Sequence, residues 1–226
     1  MKPTYTILKS DAAPALDGRW NSDAWKKIAP FTIAHFHPRS ALHRPIAEGK
    51  VCHSDEGLHV MFRVLDRFVR VANVGFQAPV WKDSCVEFFV RPRGTGGYFN
   101  FEMNAGGSLL LFFIEDWTRT EGPDGFKKSR KVDAKWNDAI KRFHSLPERI
   151  EPEVATPRAW LVQYTIPWAL FAENAGVSRP QPGDQWTGNF YKCGDETSQP
   201  HWATWSPIGE ALNFHTPEFF GQLVFG

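Results

Sequence analysis

Apolar and polar side chains alternate with a period of two in several stretches of the chain, the pattern of strands that bury one face. In residues 57–66 (GLHVMFRVLD), Leu58, Val60, Phe62 and Val64 share one side, while His59, Arg63 and Asp66 interrupt the apolar character elsewhere. In residues 84–92 (SCVEFFVRP), Val86, Phe88 and Val90 form one face and Cys85, Glu87, Phe89 and Arg91 the other. Residues 98–107 (YFNFEMNAGG) set Phe99, Phe101 and Met103 against Asn100, Glu102 and Asn104. Neighbouring strands thus build one apolar and one polar face. Further short strands are predicted at 159–167, 187–195, 201–207 and the C-terminal FFGQLVFG, each bounded by Gly, Pro or Asp. Two short helices are predicted at 21–27 and 167–174, the second with Pro167 in its first turn. Residues 115–153 are polar and carry the basic run KKSRK at 127–131, which predicts a long loop followed by a strand or two, with the run as a solvated face. Many short strands and almost no extended helical periodicity predict an all-β, antiparallel β-sandwich with long loops and one or two short helices. The length of 226 residues, with no low-complexity tract, fits one domain spanning 1–226.

Composition narrows the function. A hydrophobic fraction of 42% supplies a packed core, yet no apolar run is long enough to cross a bilayer, so no membrane partner is expected. Lys and Arg total 26 against 25 for Asp and Glu, which lacks the basic excess of a dedicated nucleic-acid binder. Ten Trp within 15% aromatic residues exceed what the core needs. Half or more are expected to pack in the core or at its rim, and the others to face solvent or a ligand, since a flat indole face suits the C–H face of a pyranose. The N-terminal MKPTYTILKS lacks the apolar core of a signal peptide, which fits a cytoplasmic protein, or a secreted or periplasmic one whose signal has been removed.

No GxGxxG, Walker, GxSxG or HExxH sequence is present. Cys52, Cys85 and Cys193 have no CxxC spacing and predict neither a disulfide framework nor a zinc site. His35, His37 and His43 in AHFHPRSALHRP include a His-x-His pair, more often hydrogen-bonded or exposed than metal-binding, and no metal site is assigned. Met61 and Met103 fall in half-buried strands and read as core rather than haem ligands. Glu87 and Glu102 lie on adjacent predicted strands and could form the acid and base of a glycosidase, but pairing with hydroxyls or with a cation such as Lys192 or Arg91 is the favoured reading, and no catalytic residue is assigned.

The ordered set LDGRWNSDAW, WKDSCVEFFVRP, YFNFEMNAGG, IPWALF, WTGNFYKCGD, WATWSPI and NFHTPEFFGQLVF resembles the family 9 carbohydrate-binding modules and their DOMON-like relatives, from about Leu16 to Phe225. The resemblance implies a β-sandwich that holds a plant-type poly- or oligosaccharide such as xylan or cellulose without transforming it, often at a reducing end, in association with glycoside hydrolases. It admits calcium as a structural ion and, through the DOMON-like relatives, haem as an alternative ligand. Carried over by position, it places Trp81 and Glu87 where the sugar binders have a Trp and a hydroxyl-binding Glu. Phe214, beside Asn213, stands for the second aromatic wall, where those binders carry Trp. Glu102 replaces a family Arg and Lys192 a family Gln. The expected binding residues are Trp81, Glu87, Glu102, Asn104, Lys192, Asn213 and Phe214.

Overall fold

The alternating segments become strands in the computed structural model, which describes residues 2–122 and 125–226. In chain order these are β1 (Thr4–Lys9), β2 (Phe31–Ile33), β3 (His35–Phe36), β4 (Ile46–His53), β5 (Gly57–Asp66), β6 (Val69–Val71), β7 (Cys85–Arg91), β8 (Tyr98–Asn104), β9 (Leu109–Arg119) and β10 (Phe126–Lys131). Helix α1 (Lys135–Ala139), β11 (Arg142–His144), β12 (Ile150–Val154), β13 (Arg158–Pro167) and helix α2 (Trp168–Ala175) follow. The chain ends with β14 (Gln185–Cys193), β15 (Trp202–Thr204) and β16 (Gly221–Phe225), and has 3-10 turns at Val80–Lys82 and Pro217–Phe219.

Two layers result. One runs β10-β9-β8-β7-β14-β16, with β15 also on β14; the other runs β4-β5-β13-β11, with β2 on β4. Strand β1 joins them, because Thr4–Ile7 pair with β16 and Leu8–Lys9 with β4. Both of those ladders are parallel, in a sandwich whose other pairings are antiparallel. Val86, Phe88 and Val90 of β7, Phe99 and Phe101 of β8, and Phe190 of β14 face Leu58, Val60, Phe62 and Val64 of β5 across one continuous core. At its centre Phe190 stacks between Phe31 (3.8 Å) and Phe88 (4.8 Å). Such pairs add about 0.5–1.5 kcal/mol each beyond area burial. Gly49 admits this arrangement, since a Cβ there would collide with the Phe31 ring.

Each layer also has a second, smaller core on its outer face. Trp25, Ile28, Cys52, Met61 and Leu161 pack outside β4, β5 and β13, and Val80, Cys85, Phe89, Tyr98, Tyr191 and Phe220 outside β7, β8 and β14. Met61 and Met103 are both buried. Five of the ten Trp are buried, and Trp81 is the most exposed.

Three local expectations change. Residues 21–27 form successive turns rather than a helix, closed by the Trp25 and Lys26 amides donating to the Ser22 carbonyl. The 115–153 segment is less of a loop than its polarity predicts: β9 extends to Arg119 and pairs with β10, which carries the KKSRK run. There Lys128 meets Glu115 (2.8 Å), Lys127 meets Asp116 (3.1 Å) and Arg130 covers the Phe113 ring, so cross-strand partners offset the strand's low β propensity. Lys135–Ala139 is a helical turn anchored by the buried Trp136.

Candidate functional site

A cavity of about 710 Å³ opens on the outer face of β7, β8 and β14. Strand alternation makes its floor: Glu87 projects opposite Val86 and Phe88, Asn100 and Glu102 opposite Phe99 and Phe101, and Cys193 opposite Lys192. Glu87 and Glu102 are direct cross-strand partners. Loops complete the walls. Trp81 comes from the 3-10 turn after Pro79, and Phe214 and Asn213 from the segment before β16. The turn is docked onto β14 and the residues after it, because the Trp81 carbonyl accepts from the Asp195 amide (3.2 Å) and the Cys193 thiol (3.5 Å). Phe214 lies flat on Tyr191 at 4.1 Å and 15°, and the Tyr191 hydroxyl donates to the Phe214 carbonyl (2.9 Å).

The floor is polar and buried. Glu102 accepts from Asn100 Nδ2 (2.8 Å), whose Oδ1 accepts the Phe112 amide (2.7 Å). Burial pushes the Glu102 carboxyl up to about 8. Burial, the neighbouring Cys193 and Glu102 hold Glu87 well above the usual carboxylate range. At neutral pH Glu102 therefore carries a proton and can donate as well as accept, and Glu87 is shifted in the same direction. The Asp195 carboxylate accepts the Trp202 indole N–H (2.8 Å), and burial raises it to about 6.

Five of the seven residues expected from the sequence line this cavity: Trp81, Glu87, Glu102, Asn213 and Phe214. The other two do not. Lys192 is fully buried on the opposite face of β14, where it donates to the Cys193 carbonyl (2.9 Å) and His201 Nε2 (2.7 Å) and pairs with Asp66 (3.3 Å). Period-two alternation with Cys193 on the cavity side requires that outcome. Asn104 ends β8 in a turn: its Nδ2 donates to the Asn73 carbonyl and Asp83, and its Oδ1 accepts the Gly106 and Ser108 amides. Its side chain is consumed by the loop backbone and Asp83.

Several lining residues were not anticipated, among them Asn100, Arg119, Cys193, Asp195, Trp202 and His215. Asn100 shares the alternation that exposed Glu102, so the sequence held that signal; Arg119 and His215 reach the cavity through tertiary contacts that local pattern does not encode. The three histidines of AHFHPRSALHRP diverge: His35 is exposed, His37 bonds the Glu210 carbonyl and the Arg39 amide, and His43 bonds Asp66. Among the described residues, one group of three potential metal ligands converges, Cys85, Glu87 and Cys193. That set is not the all-oxygen shell calcium takes.

A sheet face with a half-roofed cavity, aromatic walls and a floor of hydrogen-bonding groups defines a small-molecule binding module. The sequence profile described as "Carbohydrate-binding family 9" matches residues 24–225, and the chain belongs to that family of non-catalytic carbohydrate-binding modules. A putative carbohydrate-binding protein from Bacteroides uniformis is similar along its whole length, with 27% identity, full coverage of both chains and a TM-score of 0.85. A family 9 module from Caldicellulosiruptor kristjanssonii in complex with glucose shares the fold at 16% identity and a TM-score of 0.59, covering 98% of this chain and 95% of that one. The same description in complex with cellotriose gives 14% identity and 0.59, covering 99% and 93%. No curated protein matches significantly.

Proposed function

We propose that the chain binds a plant-type oligosaccharide in the cavity over β7, β8 and β14, with Trp81 and Phe214 supplying apolar faces and Glu87 and Glu102 reading hydroxyls. The observation that carries this reading is the convergence of an exposed indole, a stacked phenyl ring and two buried carboxyls on one cavity of small-molecule size. The stacking faces remove C–H surface from water, Glu102, protonated at neutral pH, pairs with hydroxyls as both donor and acceptor, and Glu87 accepts from them. The complexes of family 9 modules with glucose and cellotriose support this class of ligand. Without turnover of its own, such a module acts by concentrating a partner glycoside hydrolase on its polysaccharide.

The test is calorimetric titration with glucose, cellotriose and xylo-oligosaccharides, each also in its borohydride-reduced form, after a glycan array. Binding to a free oligosaccharide that is weakened by Trp81→Ala supports the reading. Absence of binding to every plant glycan on the array, or binding indifferent to Trp81→Ala and Glu87→Gln together, overturns it.

A further inference from the structure

We infer that Cys85, Glu87 and Cys193 form a binding site for a soft divalent cation of the zinc type at the floor of the cavity. Cys85 and Cys193 are directly opposed across the β7–β14 ladder, and Glu87 stands two residues from Cys85 on the same strand face. Three donor groups therefore project from one side of two hydrogen-bonded strands, a rigid platform that positions ligands better than a loop.

The distances suit one ion. Their ligand atoms all lie within 4.8 Å of one another, with Cys193 Sγ 3.1 Å from Glu87 Oε1. Tetrahedral bonds of about 2.3 Å to sulfur and about 2.0–2.2 Å to oxygen place ligand atoms roughly 3.4–3.8 Å apart. Shifts of χ1 and χ2 of a few tenths of an ångström to about 1 Å at the atoms bring all three onto that spacing. Two sulfurs and one carboxylate select zinc-like ions and discriminate against calcium and magnesium.

The Glu87 carboxyl is buried, and among the described residues its one hydrogen-bond partner is the Cys193 thiol, a weak donor. Lys192, next to Cys193 in the chain, is turned to the other face of β14 and engaged with Asp66 and His201. A buried carboxyl so thinly partnered, beside two thiols, is a ligand set rather than a packing residue. Cys52 serves as the internal contrast: it lies on the other layer with Trp25, Ile28 and Met61, and among the described residues it belongs to no converging group of three ligands.

Three protein ligands leave the fourth tetrahedral position open. Glu87 and Cys193 line the cavity while Cys85 lies behind them, so that position faces the cavity and takes water or a ligand hydroxyl. On binding, the two thiols and the carboxyl release their protons to solvent and the ion takes their place. The site needs no sugar; it shares Glu87 with the carbohydrate reading, and with the ion bound Glu87 is a carboxylate ligand.

The experiment is anaerobic titration of the full, reduced chain with Co2+, followed by displacement with Zn2+. Expected is a thiolate-to-cobalt charge-transfer band in the near ultraviolet, saturating at one ion per chain and lost on adding Zn2+. Cys85→Ser and Cys193→Ser each weaken Co2+ binding by more than the roughly 10- to 100-fold that loss of an outer-shell partner costs, and Cys52→Ser leaves it unchanged. As a check that needs no variant, Zn2+ protects Cys85 and Cys193 of the wild-type chain from alkylation in mild denaturant, read by peptide mass mapping, and leaves Cys52 at its metal-free rate. The inference is overturned by absence of the band in the reduced chain, by a band that survives Cys85→Ser, or by protection that does not distinguish Cys52 from the other two.

Discussion

Lys192 and Asp66 form an ion pair, Nζ to Oδ2 3.3 Å, with neither side chain exposed to solvent. Asp66 also accepts from the Trp160 indole (3.2 Å) and bonds His43 (2.7 Å). Burial pushes its carboxyl up, but Lys192, His43 and the remaining neighbours outweigh that and hold it well below the usual range. Because Lys192 can only donate, His201 must present a lone pair on Nε2 and carry its proton on Nδ1, toward the Gln199 carbonyl (2.8 Å). Burial and the Lys192 charge agree, lowering His201 to about 3.

That network makes Lys192 a structural residue. Removing one partner of a buried pair strands the other charge, so Lys192→Met is expected to cost about 3–5 kcal/mol. Adding Asp66→Asn should recover part of the loss, because the stranded charge is then gone. Urea unfolding of the two single variants and the double variant at pH 7 checks this; additive losses would mean that the two groups are not coupled.

Asn104 holds the opposite end of the site's architecture. With Arg70, the Ala72 and Asn73 amides and Asn73 Nδ2, it converges on the buried Asp83, two residues after Trp81. Asn104→Ala leaves two amides, a carbonyl and a carboxylate short of partners, with an expected cost of about 2–3 kcal/mol. Hydrogen exchange should accelerate at residues 72–84 before it does in β13, whereas a uniform rise would show that Asn104 does not specifically anchor that loop.

The sandwich was legible because burial of one strand face leaves a period-two record, clear in Val86–Val90 and Phe99–Met103. Strand β4 left no such record: its IAEGKVCH sequence includes Lys50, whose buried amine donates to the Trp20 and Trp25 carbonyls supplied by a distant loop. Strand β10 was hidden by its charges for the same reason, since its partners come from β9. At the site, alternation alone places Glu87 and Glu102 together. It also places Lys192 opposite Cys193, so the position carried over from the family resemblance points away from the cavity. The docking of Phe214 onto Tyr191 is set by a loop's return path, which no local pattern records.

Trp81 is about one-third exposed, at 36%, so its truncation should separate binding from folding. Trp81→Ala is expected to weaken carbohydrate binding by about 1–3 kcal/mol through lost stacking area while melting shifts little. Phe214→Ala should weaken binding similarly but also cost stability, because Phe214 packs on Tyr191. Titration calorimetry beside thermal melts reads both, and a Trp81→Ala chain with wild-type affinity would remove the indole from the site.

The cavity floor should also write itself into the pH dependence of stability. Glu102 sits at about 8 in the fold against an ordinary value of 4.5, because burial disfavours its charged form, and Glu87 is raised in the same sense. Between those values the folded chain holds protons that the unfolded chain has released, so stability is full below about pH 4.5 and falls as pH rises through about 8. Histidines act in the opposite direction: His59 and His201, lowered by burial to about 4 and about 3, remove stability as pH falls below their ordinary 6.5. The carboxyls are therefore isolated between pH 7 and 8, below the ordinary cysteine value of 9.0. There each protonated carboxyl contributes a slope of at most about 1.4 kcal/mol per pH unit. Urea unfolding in the presence of a chelator should show the wild-type chain losing stability from pH 7 to 8, and Glu102→Gln should flatten that loss because the amide stays neutral in both states. An identical slope in wild type and variant would mean that Glu102 is ionised in the folded chain at pH 7, and the cavity floor would then present a charged acceptor to its ligand rather than a donor.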